Sequence, residues 1–219
     1  LKTTLFPKAF GRMPQELTSE DFKKIGRTLA RLHSIGGQKA AEHRPVLNTD
    51  TYGWPSLDIL EPWVAPEVSG RYFAAAETIL STLDDLLESV PYIRIHGDCH
   101  KGNLLLTDIA GQESEFFFVD FDDFCTGPVA QDFWMLFSGY EDSRKEMDSI
   151  LSGYEELRHF DDEQFQLFEP LRGLRIIHYA AWIARRWQDP AFPKIFPQYE
   201  TYNYWAEETE ALEKIALSL

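Results

Sequence analysis

Cysteine is scarce: only Cys99 and Cys125 occur in 219 residues, with no Cys-x-x-Cys pair and no His/Cys spacing that would hold zinc. A disulfide framework and a structural zinc site are therefore not expected, and a reducing compartment suits the chain. No apolar run reaches the length that spans a bilayer, and the opening Leu1-Lys2-Thr3-Thr4 has no signal-peptide core. The expectation is a cytoplasmic protein without a membrane partner. Basic side chains are also short, 21 Lys and Arg against 36 Asp and Glu for a net charge of −15. Nucleic acid is a poor partner on that ground, because the molecule as a whole repels a polyanion. Repeats and low-complexity tracts are missing too. What is present, 44% hydrophobic and 14% aromatic residues, is enough to bury a sizeable core.

The chain opens with Leu rather than Met, which predicts a processed product or a fragment. Thr18-Ser19-Glu20-Asp21 offers a helix N-cap with acidic first-turn residues, and Phe22, Ile25, Leu29 and Leu32 then line one face until Gly36-Gly37. Residues 38–70 carry Pro45, Pro55, Pro62 and Pro66 without clean periodicity and read as a surface excursion pinned by Trp54 and Trp63. Helical period returns over Tyr72–Leu87 and stops at Pro91. Three extended pieces follow, Tyr92–Ile95, Leu104–Thr107 and Glu115–Asp120, with a turn over 108–114. Beyond Pro128 the pattern is helical at roughly 129–138, 143–158, 162–187 and 201–217. This predicts a mainly α protein with one small β-hairpin, in which 92–123 carries the chemistry and 129–219 is a helical layer.

The chemistry-bearing stretch is His96-Gly97-Asp98-Cys99-His100-Lys101-Gly102-Asn103, followed by Val119-Asp120-Phe121-Asp122-Asp123. An Asp and an Asn five apart on a loop, with a later Asp ending an apolar strand, is the arrangement that phosphoryl transfer uses to aim a hydroxyl and hold magnesium. If the hairpin turns near Gly111-Gln112, Leu104 faces Val119 and Asn103 faces Asp120. Opposed residues have Cβ atoms about 4.5–5.5 Å apart, within reach of one shared cation. Alternation in an extended segment then puts Asp122 on the side of Asp120. Two carboxylates about 4 Å apart repel by on the order of 4 kcal/mol at an effective dielectric near 20, which a divalent cation relieves. The same cation would neutralise ATP phosphates despite the acidic composition. Asp98 is the residue left to orient the incoming hydroxyl and accept its proton. Lys101, on the same loop, is placed to offset phosphate charge.

HGDCHKGN with VDFDD resembles the catalytic and metal segments of the aminoglycoside phosphotransferase and choline kinase superfamily, relatives of protein kinases. Gly26–His33, Gln131–Leu136, Glu169–Arg175 and Ala181–Pro193 further resemble one branch, the bacterial stress response kinase A group of cytoplasmic Ser/Thr protein kinases. The resemblance covers nearly the whole chain. It implies a protein kinase-like fold, Asp98 as proton acceptor, Asn103 and Asp120 as magnesium ligands, and Asp132 as a structural brace of the catalytic loop. It also implies a Gly-rich loop and an ATP-phosphate lysine in an N-terminal β-lobe, and neither occurs in this sequence. On this likeness residues 1–17 are a strand and linker from that lobe, and 18–219 are the C-terminal helical lobe.

His96 and His100 are read as backbone-bonding residues rather than metal ligands. Arg172, Arg175, Arg185 and Arg186 are candidates for holding an acidic or phosphorylated substrate, or a solvated helix face. The aromatic residues of 182–196 are expected to pack, and Cys99 has no partner that marks a nucleophile. The leading expectation is an ATP- and magnesium-dependent kinase acting on protein Ser/Thr. A small-molecule kinase shares the same segments. A metallo-phosphoesterase is a weaker alternative, since Gly97-Asp98-Cys99-His100 matches a GDxH start but no GNH[DE] segment follows. A non-catalytic, partner-binding helical lobe is the remaining alternative.

Overall fold

The computed structural model describes residues 10–107, 114–137 and 143–219. The chain runs through α1 (Ser19–Gly36), α2 (Thr49–Tyr52), α3 (Trp54–Leu60), α4 (Pro66–Leu87), β1 (Ile93–Ile95), β2 (Leu104–Thr107), β3 (Glu115–Phe118) and β4 (Cys125–Gly127). It continues through α5 (Ala130–Trp134), α6 (Ser143–Glu155), α7 (Phe168–Arg186), α8 (Phe192–Ile195) and α9 (Tyr202–Ala216). The architecture is mainly helical. Thr18 starts α1 with a full capping box, its hydroxyl accepting from the Asp21 N–H while the Asp21 carboxylate accepts from the Thr18 N–H.

Two hydrophobic cores divide the work. In one, Ile25 and Leu29 of α1, Phe116 and Phe118 of β3, Phe133 of α5 and Ile150 of α6 pack together. Here α1 and α6 cross closely: a Cβ on Gly26 would sit 2.0 Å from Ile150 O, so only glycine permits the approach. In the other, α4, α7 and α9 bury Tyr72, Ile79, Leu83, Ile177, Trp205 and Leu212. Each fully buried side chain of this size is worth about 1.5–3 kcal/mol relative to an exposed one. The core of α4, α7 and α9 holds the layer against which the catalytic-loop candidate rests.

Of residues 38–70, only 38–46 run along the surface as the sequence predicts. Residues 49–70 form α2, α3 and the start of α4, and they bury Thr49, Ser56, Leu57, Leu60, Val64 and Val68. Helices of four and seven residues are too short to display a readable 3.6-residue period, and Pro55 and Pro66 here start helices rather than break them. The two tryptophans do anchor the region: Trp54 Nε1 donates to Asp84 at 3.2 Å, and Trp63 packs on Trp187 and Tyr199.

The sheets are small and separate. β2 and β3 form the expected antiparallel hairpin, but its register differs by one residue: Leu104 pairs with Phe118 and Thr107 with Glu115. Asn103 consequently stands beside Val119, whose N–H donates to Asn103 O at 2.9 Å, and not opposite Asp120. Phe116, Phe117 and Phe118 are all apolar, so a one-residue slip leaves the pattern equally hydrophobic and the sequence cannot select the register. Of the expected turn, residues 108–113 lie outside the described residues. A second antiparallel pair, β1 with β4, joins Ile93 to Gly127 and Ile95 to Cys125. β4 is flanked by Leu47, whose N–H donates to Thr126 O at 2.7 Å.

Candidate active site

β1 feeds directly into the loop that begins at His96, and the β1–β4 pairing sets α5 under that loop. Asp132, wholly buried on α5, accepts the His96 N–H at 2.7 Å and the Gly97 N–H at 2.9 Å. His33 Nε2 of α1 lies 3.0 Å from the same carboxylate, with its Nδ1 3.0 Å from Tyr154 Oη. Facing a carboxylate, Nε2 carries the proton and donates. A buried carboxylate is tolerated because it is saturated with donors of this kind. Gln131 Nε2 adds a bond to Gly97 O at 3.0 Å. Gly97 itself has φ +84° and Asp123 O would lie 2.4 Å from a Cβ, so the loop requires glycine at this point.

Held this way, the loop presents Asp98 with its side chain about one-fifth exposed. Asn103 Nδ2 donates to Asp98 O at 2.9 Å and approaches Asp98 Oδ2 at 3.4 Å. Arg175 Nη2 of α7 forms an ion pair with Asp98 Oδ1 at 2.9 Å. Its angle is not that of a hydrogen bond, and Oδ1 is buried without one. One carboxylate oxygen is thus steered by an amide while the other keeps its lone pairs uncommitted beside a fixed positive charge. His100 Nε2 stands 3.4 Å from Asp98 Oδ2 and His100 Nδ1 accepts from the Gly102 N–H. His96 Nε2 bonds Val119 O at 2.9 Å, and its ring packs on Phe121.

Asp120 follows Val119 and has φ 63° and ψ 65°, the single non-glycine residue with positive φ among those described. An aspartate in this region is tolerated better than most residues but is uncommon. The reversal turns the chain out of β3 one residue beyond Val119, whose N–H donates to Asn103 O. With Nδ2 of Asn103 committed to Asp98, its Oδ1 is left as an oxygen donor, and the Asp120 carboxylate is a second hard oxygen of the type magnesium prefers. The extended alternation expected to put Asp122 beside Asp120 is absent, because Phe121–Asp123 is a single 3-10 turn. The backbone of that turn is tied down instead: Asp122 O and Phe124 O both accept from Arg44.

Lys101 differs from expectation as well. Its ammonium pairs with Glu146 of α6 at 3.1 Å and lies over the Phe22 ring, so it is spent on the α1–α6 side of the loop rather than offered to a phosphate. Of the four arginines, only Arg175 reaches Asp98. Arg172 pairs with Glu169 at 3.1 Å, and burial lowers its pKa. Arg186 stacks over Trp182, and burial followed by Arg186 lowers the pKa of Arg185.

Asp98 opens on a cavity of about 280 Å³ walled by Tyr52, His178, Tyr179 and Trp182, with Asp123 and Arg175 at its polar end. Burial first, then Arg185, pushes His178 down to about 4, so this ring is neutral at physiological pH. The aromatic wall was not foreseen from the sequence. A signal existed: 175, 178, 179 and 182 recur at helical spacing on one face of α7. Both cysteines are free and buried. Burial raises the Cys99 thiol and lifts Cys125 to about 12, which keeps both unreactive.

The sequence matches the phosphotransferase enzyme family (APH) over residues 6–173, and the chain belongs to that family. It is 36% identical over 210 residues to stress response kinase A of Salmonella choleraesuis (strain SC-B67). It is likewise 36% identical to the serine/threonine protein kinase RdoA of Salmonella typhimurium (strain LT2). Each match covers 94% of this chain and 62% of the relative, so the chain spans less than two thirds of the length of these curated proteins. Among solved structures, an amicoumacin kinase in complex with AMP-PNP, Ca2+ and Ami superposes with a TM-score of 0.67 at 18% identity, over 96% of this chain and 63% of that one. No described helix is long and apolar enough to cross a membrane.

Proposed function

We propose that this chain is the C-terminal, catalytic and metal-binding lobe of an ATP- and magnesium-dependent kinase that phosphorylates Ser and Thr hydroxyls of protein. The observation that carries the reading is Asp98 at the mouth of a cavity, approached by Asn103 on one oxygen and by Arg175 on the other, which accepts no hydrogen bond. Asp98 takes the proton of the acceptor hydroxyl as its oxygen bonds to the γ-phosphorus and the bond from that phosphorus to the ADP oxygen breaks. Asn103 and Asp120 are the residues that would hold magnesium. When bound, that ion neutralises phosphate charge. Asp132 keeps the loop in register without touching the reacting atoms. The grip on nucleotide requires a Gly-rich loop and a lysine that are not among these 219 residues, and a β-lobe like that of the kinase relatives would supply it. Dependence on ATP fits a cytoplasmic site of action.

Phosphate transfer by the full-length protein from radiolabelled ATP to Ser/Thr proteins, compared with Asp98→Ala, tests the reading. Loss of about 10²-fold or more in kcat with an unchanged circular dichroism spectrum is expected; a folded, active variant overturns it. A small hydroxyl acceptor is the second reading. The compact cavity of about 280 Å³ with aromatic walls favours it, and transfer to small alcohols but to no protein would select it.

A further inference from the structure

A second, larger depression of about 800 Å³ lies between α7 and α9. It is continuous with the site just described, because Arg175 and Tyr179 line both it and the cavity holding Asp98. Trp134, Ile176 and Ala211 give it apolar surface, and Tyr179 is left 45% exposed at the junction. A small acceptor seated at Asp98 would leave this trough unused, whereas an extended chain passing Asp98 would run along it.

The charges along the trough are sorted by position. On the α7 side Arg172 and Arg175 are matched by Glu169 and Asp98. On the α9 side Glu207, Glu208 and Glu210 line the trough with Lys214, so the acidic groups are gathered on α9 while two of the three lining cations, Arg172 and Arg175, stand on α7. Burial first, then Glu207, pushes Glu208 up to about 7, which marks a carboxylate that gains from an arriving cation. Like-charge repulsion by Arg175 discourages a basic residue next to Asp98, while α9 attracts one further along.

We infer that the trough is a docking groove for a basic segment of a protein substrate, with the acceptor Ser or Thr at the Arg175 end and Lys or Arg side chains against Glu207, Glu208 and Glu210. This rests on the protein-kinase reading and adds to it a substrate chemistry and a direction. Apolar and acidic walls together suit a peptide with aliphatic stems and cationic tips, since both parts find a partner.

The test uses full-length protein, ATP with magnesium, and three Ser/Thr peptides that differ only in carrying Lys, Gln or Glu at positions scanned away from the acceptor. The expected result is a KM for the Lys peptide about 10-fold below that of the Gln peptide, with the Glu peptide poorer still. In Glu207→Gln/Glu208→Gln/Glu210→Gln the preference collapses, with thermal melting confirming the fold. Equal KM values for the three peptides, or a preference that survives in the triple variant, overturn the groove while leaving the kinase reading in place. Transfer to small alcohols but to no peptide overturns both, and is told apart from the first outcome by the absence of any phosphopeptide.

Discussion

Arg175 Nη2 of α7 lies 2.9 Å from Asp98 Oδ1, an oxygen that is buried and makes no hydrogen bond. The guanidinium holds the carboxylate in orientation without consuming the lone pairs that must receive a proton. Arg175→Ala is expected to lower kcat by roughly 10- to 100-fold, the scale of a misplaced reacting group. Arg175→Lys is expected to restore part of the loss, because the contact is an ion pair without a hydrogen bond and lysine keeps its charge on a differently shaped stem. Steady-state kinetics on both variants of the full-length protein check this; equal activity in wild type and Arg175→Ala would remove Arg175 from the site.

Asp132 has the opposite character, since it acts wholly through the backbone. Removing it strands the N–H groups of His96 and Gly97 and the His33 ring in a dry interior. Asp132→Ala is expected to cost about 3–5 kcal/mol, read as a lower urea midpoint with an unchanged slope. Asp132→Asn retains part of this, as one amide oxygen still accepts while the amide nitrogen faces a donor. A midpoint within experimental error of wild type would contradict the brace.

Asp120 sits at φ 63°, a conformation that asparagine shares readily. Asp120→Asn therefore keeps the backbone and removes the negative charge of the proposed magnesium ligand. We expect the magnesium concentration for half-maximal activity to rise by at least about 10-fold. Manganese binding to the protein without nucleotide, followed by electron paramagnetic resonance, weakens in parallel. Unchanged binding in that measurement counts against Asp120 as a ligand.

His178 gives a prediction in pH. Its folded value of about 4 lies below the ordinary 6.5, so between these values the folded state binds fewer protons than the unfolded one and stability falls as pH drops. The contribution is complete above about pH 6.5 and lost by about pH 4, at most about 3 kcal/mol over the interval. His178→Gln should flatten this part of the stability curve, measured by urea denaturation from pH 7 to pH 4. Parallel curves for variant and wild type would show that the ring is not held neutral by the fold.

The local features were readable because they depend on few neighbouring residues. Thr18 and Asp21 cap α1 through a contact three residues long, and β2 occupies Leu104–Thr107 as its apolar run predicts. Short elements were not readable. The helices α2 and α3 span two turns or fewer, too little for a period to repeat, and the three residues of β4 are defined by their pairing with β1 rather than by composition. The hairpin slipped by one position because three consecutive phenylalanines carry no alternation. Asp122 failed for a related reason: alternation was assumed where the backbone reverses at Asp120 and enters a turn.

The sequence by itself determined the chemical inventory, an Asp and an Asn five apart on a glycine-containing loop and an Asp ending an apolar strand. Such groups are covalently close, so spacing alone constrains them. Only the tertiary structure decided which distant groups join them. Asp132 and His33 come to the loop from α5 and α1, Lys101 is drawn away to Glu146, and Arg175 rather than Arg172, Arg185 or Arg186 meets Asp98. Those choices follow from how the helices pack: α7 is fixed by the core it shares with α4 and α9, and the face it turns toward Asp98 is set by what the rest of that helix must bury.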